Sequence, residues 1–161
     1  MTEEIEQHYL YPATLFASIE PCKITTVLGS CVSLCLWDNV LKVGGMNHYM
    51  LPLWNGDGLA SPKFGNIANE KLLEKLLSFG CKKINIQAKV FGGGEVIETA
   101  INFFNIGERN IKIAFEFLEE QKINVLSKSV GGSLGRKIIY NSQTGEVLHK
   151  FIQKTCIPKD N

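Results

Sequence analysis

The stretch "TTVLGSCVSLCLWD" (residues 25–38) places two apolar, β-branched runs on either side of a Gly29-Ser30 corner. The run before the corner, "KITTVL", and the run after it, "CVSLCLW", have the composition of β-strands. A third run, "VGGMNHYML" (residues 43–51), follows the short turn "DNVLK", so the second and third runs are expected to pair as antiparallel neighbours. Three strands arranged around a flexible corner therefore begin the fold.

A helix and a further strand follow a loop rich in Pro, Gly, Asn and Asp, "PLWNGDGLASPKFG". Apolar residues then recur with a period near 3.6 over residues 66–80, which predicts a helix with Asn66 as its N-cap and Gly80 at its end. The next run, "KINIQAKVF" (residues 83–91), alternates apolar residues from Ile84 onward. This period of two predicts a half-buried strand that runs into "GGG".

The last third of the chain repeats the mixture of helix and strand. The patterns predict a second helix over 108–122, a strand over 123–130 and a hairpin over 136–151 whose turn is "NSQTG". Strands come first and helices are mixed with strands later, which favours an α+β fold built in layers. The strict βαβ alternation of a doubly wound nucleotide-binding sheet is absent.

Composition limits the class of protein. The 161 residues suit one domain, 1–161, of which about 1–22 and 152–161 carry the least distinctive sequence. With 45% apolar residues, 20% charged residues and a net charge of +1, the chain is typical of soluble globular proteins. No basic tract favours nucleic acid and no segment favours membrane insertion or export, so we expect a cytoplasmic protein.

The five cysteines do not form a disulfide or metal pattern. Their number is odd, only Cys31 and Cys35 are close in sequence, and the three histidines are widely scattered. A metal site is therefore not predicted. Free cysteines are usually small buried residues, and this interpretation suits four of the five: Cys22, Cys35, Cys81 and Cys156.

Two glycine-rich stretches, "VFGGG" and "VGGSLGRK", invite comparison with phosphate loops. A P-loop needs four residues between its glycines and then Lys followed by Ser or Thr, and neither stretch has that spacing. We interpret both as places where the backbone turns tightly or is closely approached by another segment.

Cys31 has a more specific setting, because it directly follows the Gly29-Ser30 corner. A thiolate there can attack a carbonyl, and backbone amides of the corner can stabilise the resulting oxyanion. The base would be His48, which an antiparallel pairing of the second and third runs returns toward Cys31. The alternatives are a packed thiol at Cys31 and a structural hydrogen-bonding histidine at position 48.

A third group is needed to orient the imidazole. Thr25 and Thr26 precede the corner, and one of them faces the same way as Cys31, so its hydroxyl or a nearby carbonyl can accept a hydrogen bond from His48. The alternative is that threonine is present only because it suits a strand.

These stretches together resemble the CheD family of chemoreceptor glutamine deamidases. The similarity rests on "LGSCVSLCLWD", "GGMNHYMLP", "AKVFGGG", "NIGERNI" and "GGSLGRKI", in this order, and extends to the "TGEVL" hairpin. One departure is Phe64 in "PKFGN", where tyrosine is expected.

The resemblance implies an α/β/β sandwich of mixed sheets with helices on one side, similar to cytotoxic necrotising factor type cysteine deamidases. It implies Cys31 as nucleophile, His48 as base and Thr25 as the orienting residue, with Thr26 as a second choice. The implied reaction needs no cofactor and converts glutamines of methyl-accepting chemotaxis receptors to glutamate, a protein-glutamine glutaminase activity. The implied partner is a CheC-type CheY phosphatase. An alternative is an interaction module that regulates CheC with little catalysis, and a papain-like peptidase is a third, weaker one.

Overall fold

The computed structural model describes residues 4–95 and 105–152, which form nine strands, two helices and a short 3-10 turn. The strands are β1 (Glu6–Tyr9), β2 (Thr14–Ser18), β3 (Cys22–Leu28), β4 (Val32–Asp38), β5 (Val43–His48), β6 (Ile86–Gly92), β7 (Asn124–Val130), β8 (Gly135–Asn141) and β9 (Val147–Ile152). The helices are α1 (Gly65–Ser78) and α2 (Ile106–Gln121), and the 3-10 turn is Lys83–Asn85. Neither helix is long and apolar enough to cross a bilayer.

The strands form two mixed sheets. One has four strands in the order β1-β3-β8-β9, and the other has five in the order β2-β5-β4-β6-β7. The pairs β1–β3 and β6–β7 are parallel and the remaining pairs are antiparallel. The predicted antiparallel pairing of β4 with β5 is confirmed, with Cys35 opposite Met46.

The alternation of side chains on β4 separates two apolar cores. Val32, Leu34 and Leu36 pack with residues of α1 and α2 on one side of the five-stranded sheet. Cys35 points the other way and packs with residues of the four-stranded sheet. The residues buried between the two sheets form the inter-sheet core, which consists of Leu10, Cys22, Ile24, Leu28, Cys35, Met46, Phe91, Ile138 and Tyr140. The predicted α+β fold with two mixed sheets is therefore confirmed, and both helices pack on the five-stranded sheet.

The strands β1 and β2 were not predicted from the sequence. Both are short and lie at sheet edges, and β1 ("EQHY") has no apolar alternation because most of its residues are exposed. The segment between them nevertheless reaches the interior, since Leu10 is fully buried in the inter-sheet core. The N-terminal segment is thus part of the fold.

Two local predictions were wrong. The N-cap position of α1 is Phe64, without a side-chain cap, while the Asn66 side-chain oxygen accepts a hydrogen bond from the Trp54 amide at 3.0 Å. Ile84 lies in the 3-10 turn and is 91% exposed, so the apolar alternation of the strand begins only at Ile86. Gly80, with φ of +95°, does end α1 as predicted.

Tyr140 joins the two sheets across the inter-sheet core. This β8 residue is almost fully buried, and its hydroxyl donates a hydrogen bond to the carbonyl of Leu36 in β4 at 3.0 Å. Gly44 in β5 leaves room for that hydroxyl, because a Cβ at position 44 would collide with it. The absence of a side chain at position 44 thus permits this link between the sheets.

We expect Gly44→Ala to lower the free energy of unfolding by about 1–3 kcal/mol, because it overpacks the core against the Tyr140 hydroxyl. The same substitution in a Tyr140→Phe background should cost about 1 kcal/mol less, since the colliding atom is gone. Urea denaturation of the wild type, both single variants and the double variant measures this coupling. If the free-energy costs of the two single substitutions sum to the cost of the double variant within about 0.5 kcal/mol, the collision is contradicted.

Candidate active site

Cys31 lies where the chain passes from one sheet to the other. Strand β3 ends at Leu28 in the four-stranded sheet, and β4 begins at Val32 in the five-stranded sheet, so residues 29–31 form the crossing. Cys31 is only partly buried and packs at the edge of the inter-sheet core. The thiol is therefore neither sealed in the interior nor fully solvated.

The glycine run at the end of β6 holds this crossing. The amide of Gly94 donates to the carbonyl of Gly29 at 2.9 Å, and the amide of Gly93 donates to the carbonyl of Cys31 at 2.9 Å. Gly92 has φ of +110°, and a Cβ at this position would collide with the Cys31 carbonyl. The interpretation of "VFGGG" as a site of close backbone approach is confirmed.

His48 lies at the end of β5, on the strand that pairs with the start of β4. Val32 and Tyr49 exchange backbone hydrogen bonds of 3.1 and 3.0 Å, and both belong to the core beneath the helices. Cys31 directly precedes Val32, and His48 directly precedes Tyr49. Because side chains alternate along a strand, Cys31 and His48 both point away from the helices, to the side opposite Val32 and Tyr49. They occupy diagonal positions of an antiparallel pair, whose Cβ atoms generally lie roughly 7 Å apart. The register thus makes the two side chains neighbours.

The hydroxyl that contacts His48 belongs to Thr26, not to Thr25. Thr26 is fully buried, and its Oγ1 lies 2.7 Å from Nδ1 of His48. Thr25 is the next residue along β3, so its side chain points to the outer face of the four-stranded sheet. Of the two threonines named from the sequence, the one beside His48 is thus Thr26, the second choice, and not Thr25.

A backbone carbonyl fixes the direction of this hydrogen bond. The Thr26 hydroxyl donates its single proton to the carbonyl of Leu10 at 2.8 Å. It can then only accept from His48, which places the ring proton on Nδ1 and leaves Nε2 with a free lone pair. This tautomer is the one that a base acting through Nε2 requires.

Burial keeps both reacting groups neutral. It raises the pKa of the Cys31 thiol, an effect that the backbone amide of Cys31 only partly offsets. It lowers the pKa of His48 to about 4. Near neutral pH this pair is therefore a thiol and a neutral imidazole rather than a preformed ion pair.

The sequence analysis missed two residues that contact the site. One is Leu10, whose carbonyl orients Thr26 and which no pattern could have indicated. The other is Asn110, whose Nδ2 donates to the carbonyls of Ser30 and Met50, both at 3.0 Å. A signal for Asn110 does exist, because it is a polar residue on the buried stripe of α2, which consists of Gly107, Asn110, Ala114 and Leu118.

The other cysteines and histidines lie outside this arrangement. Cys22, Cys35 and Cys81 are buried, as predicted, and Cys156 lies outside the described residues. His8 stacks on the ring of Phe16, and His149 lies 3.0 Å from the hydroxyl of Ser129. Within residues 4–95 and 105–152, no group of three His, Cys, Asp or Glu side chains is placed to hold a metal ion.

A two-sheet α+β fold with a partly exposed thiol beside an oriented neutral imidazole defines a candidate cysteine-dependent hydrolase. Residues 50–151 match the family model described as CheD chemotactic sensory transduction. This chain belongs to the CheD family.

Two relatives match most of the chain. A protein of Trichlorobacter lovleyi is 53% identical over 144 residues, which cover 89% of each chain. A protein of Sulfurimonas denitrificans is 48% identical over 153 residues, which cover 94% of this chain and 98% of the relative. Both carry the name "Probable chemoreceptor glutamine deamidase CheD".

One solved structure, of Neisseria meningitidis protein NMB0706 from the DUF152 family, aligns with a TM-score of 0.43 at 8% identity. The alignment covers 81% of this chain and 65% of that one. This similarity is too low to support an inference about fold or function.

The buried imidazole predicts that acid destabilises the protein through His48. Burial lowers the pKa of His48 from 6.5 to about 4. Between these two pH values the unfolded chain binds a proton at His48 and the folded chain does not. Unfolding is then favoured by about 1.4 kcal/mol for each pH unit of acidification within the interval. Urea denaturation of the wild type and His48→Asn from neutral pH down to about pH 4.5 should show this contribution only in the wild type.

His8→Asn is the matched control for this measurement, because it removes a histidine and keeps His48. It should follow the wild type. Identical pH slopes for the wild type and His48→Asn would show that His48 does not titrate as a buried group.

Proposed function

We propose that this CheD protein hydrolyses the side-chain amides of particular chemoreceptor glutamines and so acts as a protein-glutamine glutaminase. Family membership and the names of its close relatives support the substrate class. The observation that carries the chemistry is the chain of hydrogen bonds from the Leu10 carbonyl through the Thr26 hydroxyl to Nδ1 of His48. This chain leaves Nε2 of His48 free to act as a base for the neighbouring Cys31.

In the first half of the proposed reaction, Nε2 of His48 takes the proton of the Cys31 thiol. The sulfur attacks Cδ of the glutamine side chain, and the carbonyl oxygen becomes an oxyanion. The imidazolium that forms is stabilised by the Thr26 oxygen, which accepts from Nδ1. Because burial lowers the pKa of His48, its imidazole stays unprotonated over a wide range of pH below neutrality and keeps the lone pair that accepts the thiol proton.

The amides of Ser30 and Cys31 are the proposed oxyanion donors. All three carbonyls of residues 29–31 accept hydrogen bonds from Asn110 or from the glycine run at the end of β6. Among the backbone hydrogen bonds of the described residues, by contrast, the amides of Ser30 and Cys31 donate none. Backbone amides held in place at this crossing can serve a developing oxyanion, and the Cys31 amide also lowers the pKa of the Cys31 thiol.

In the second half, His48 gives its proton to the departing ammonia, and a thioester remains on Cys31. The same imidazole then activates a water molecule, which attacks the thioester and releases glutamate. The substrate side chain gains one negative charge, a change that can alter packing between receptor helices. His48 returns the proton taken from water to the departing Cys31 sulfur, which restores the thiol, and the new carboxylic acid loses its proton to solvent, where ammonia becomes ammonium.

Further features implied by the family remain proposals. We propose a CheC-type CheY phosphatase as a second partner, a cytoplasmic location and a single domain over residues 1–161. The similarity to cytotoxic necrotising factor type deamidases also stays a prediction. The layered arrangement of helices, five-stranded sheet and four-stranded sheet is compatible with it.

The direct test is incubation of the full chain with the cytoplasmic helical fragment of a chemoreceptor. Mass spectrometry of glutamine-containing peptides should show conversion of amide to acid, and Cys31→Ala should abolish it because the nucleophile is gone. Cys35→Ala, which removes a buried thiol of the inter-sheet core, is the matched control and should retain conversion. Binding of the fragment without conversion would favour an interaction module, and cleaved backbone would favour a peptidase.

The position of the orienting hydroxyl gives a second prediction. Thr26→Val keeps the shape of the side chain but removes the acceptor for Nδ1 of His48, so kcat should fall roughly 10- to 100-fold. Thr25→Val makes the same chemical change on the outer face of the sheet and should leave kcat close to that of the wild type. Steady-state kinetics on the receptor fragment distinguish the two, and equal losses would remove the assignment to Thr26.

A further inference from the structure

Asn110 holds the backbone on both sides of Cys31. Its side chain is fully buried, and each of two carbonyls accepts a hydrogen bond of 3.0 Å from Nδ2. One carbonyl belongs to Ser30, which immediately precedes the nucleophile. The other belongs to Met50, which stands opposite Cys31 when the pairing of Val32 with Tyr49 is continued by one residue.

The chemistry of the two acceptors fixes the orientation of this amide. Only the NH2 end of an asparagine can donate to two carbonyl oxygens, so Nδ2 must face Ser30 and Met50. Oδ1 of Asn110 is then left buried without a hydrogen-bond partner in the described part of the chain. A buried unpaired acceptor is unfavourable, so the benefit of this asparagine lies in its two donated bonds.

The main chain of Asn110 is fixed to the segment that carries the base. The hydroxyl of Tyr49 donates to the Asn110 carbonyl at 2.6 Å, and Tyr49 directly follows His48. The first turn of α2 is also packed closely on the glycine run, because a Cβ at Gly107 would collide with the carbonyl of Gly93. Helix α2 therefore contacts the nucleophile segment, the base segment and the glycine run at once.

We propose that Asn110 is a positioning residue for the deamidation reaction. By binding the carbonyls of Ser30 and Met50, its side chain sets the distance between Cys31 and His48. This inference rests on the proposed function for its effect on turnover. The predicted effect of Asn110 on the reactivity of the Cys31 thiol is independent of the proposed function. Asn110 is not a catalytic residue in this account, because it contacts the backbone beside the reacting groups.

The test compares Asn110→Leu with Leu118→Ala in the full chain. Asn110→Leu keeps the branching and the number of side-chain heavy atoms and removes both donated bonds. Leu118→Ala destabilises the same helix from its buried stripe, about two turns beyond Asn110. Two readouts are taken: kcat and KM on the receptor fragment, and the rate at which iodoacetamide alkylates Cys31 as a function of pH, followed by mass spectrometry of the Cys31 peptide.

Asn110→Leu should lower kcat about 10- to 100-fold with a KM within about threefold, since a small misplacement of reacting groups is costly. The alkylation rate should fall by about threefold or more and lose the part of its pH dependence that His48→Asn also removes. Leu118→Ala should stay within about twofold of the wild type in both readouts at a comparable loss of thermal stability.

Equal changes in both variants, or unchanged readouts in Asn110→Leu, would overturn the proposal, because Asn110 would then be only structural. If Asn110→Leu does not fold, Tyr49→Phe replaces it, since this variant removes only the hydroxyl that fixes the Asn110 carbonyl. A slower alkylation of Cys31 would support the proposal and an unchanged rate would overturn it. If the wild type converts no glutamine but Asn110→Leu slows alkylation and Leu118→Ala does not, the proposed function fails while the effect of Asn110 on the Cys31 thiol stands.

Discussion

The structure depends on the crossing of the chain from one sheet to the other between Leu28 and Val32. A backbone that leaves one hydrogen-bonded ladder and enters another exposes its polar groups, and these must find partners. Here the carbonyls of residues 29–31 find them on the glycine run at the end of β6 and on Asn110. Because these donors occupy the carbonyls, Cys31 is held at a fixed place on the edge of the inter-sheet core. The requirement to satisfy the backbone thus also creates a rigid support for Cys31, the proposed nucleophile.

The imidazole beside it is controlled from a different part of the chain. His48 belongs to the five-stranded sheet, and Thr26, which binds Nδ1, belongs to the four-stranded sheet. The hydroxyl between them is in turn oriented by Leu10, near the N-terminus. The site therefore requires that the two sheets be packed face to face, and the same burial that packs them keeps His48 neutral. The stability of the inter-sheet core and the neutral state of the His48 imidazole, the proposed base, therefore both depend on the contact between the two sheets.

Much of the fold could be predicted from the sequence. The strands from β3 to β5, both helices and the C-terminal hairpin follow from apolar periodicity and turn residues, which are local properties. Strands β1 and β2 could not be predicted, because both are short edge strands, β1 is mostly exposed, and their order comes from pairing with β3 and β5. The N-cap of α1 and the start of β6 were also placed wrongly. Asn66 serves the loop before the helix, and Ile84 is an exposed apolar residue that imitates a strand position.

For the site, the sequence by itself determined which residue types are available: a cysteine after a Gly-Ser corner, a histidine on the adjacent strand and two threonines before the corner. It also fixed the strand alternation that makes Cys31 and His48 share a face. Only the tertiary structure decided between Thr25 and Thr26, because that choice depends on which face of β3 meets the other sheet. The contributions of Leu10 and Asn110 were decided at the same level, since a hydrogen bond between residues 16 or 80 positions apart depends on how separate elements pack and has no periodic signature in the sequence.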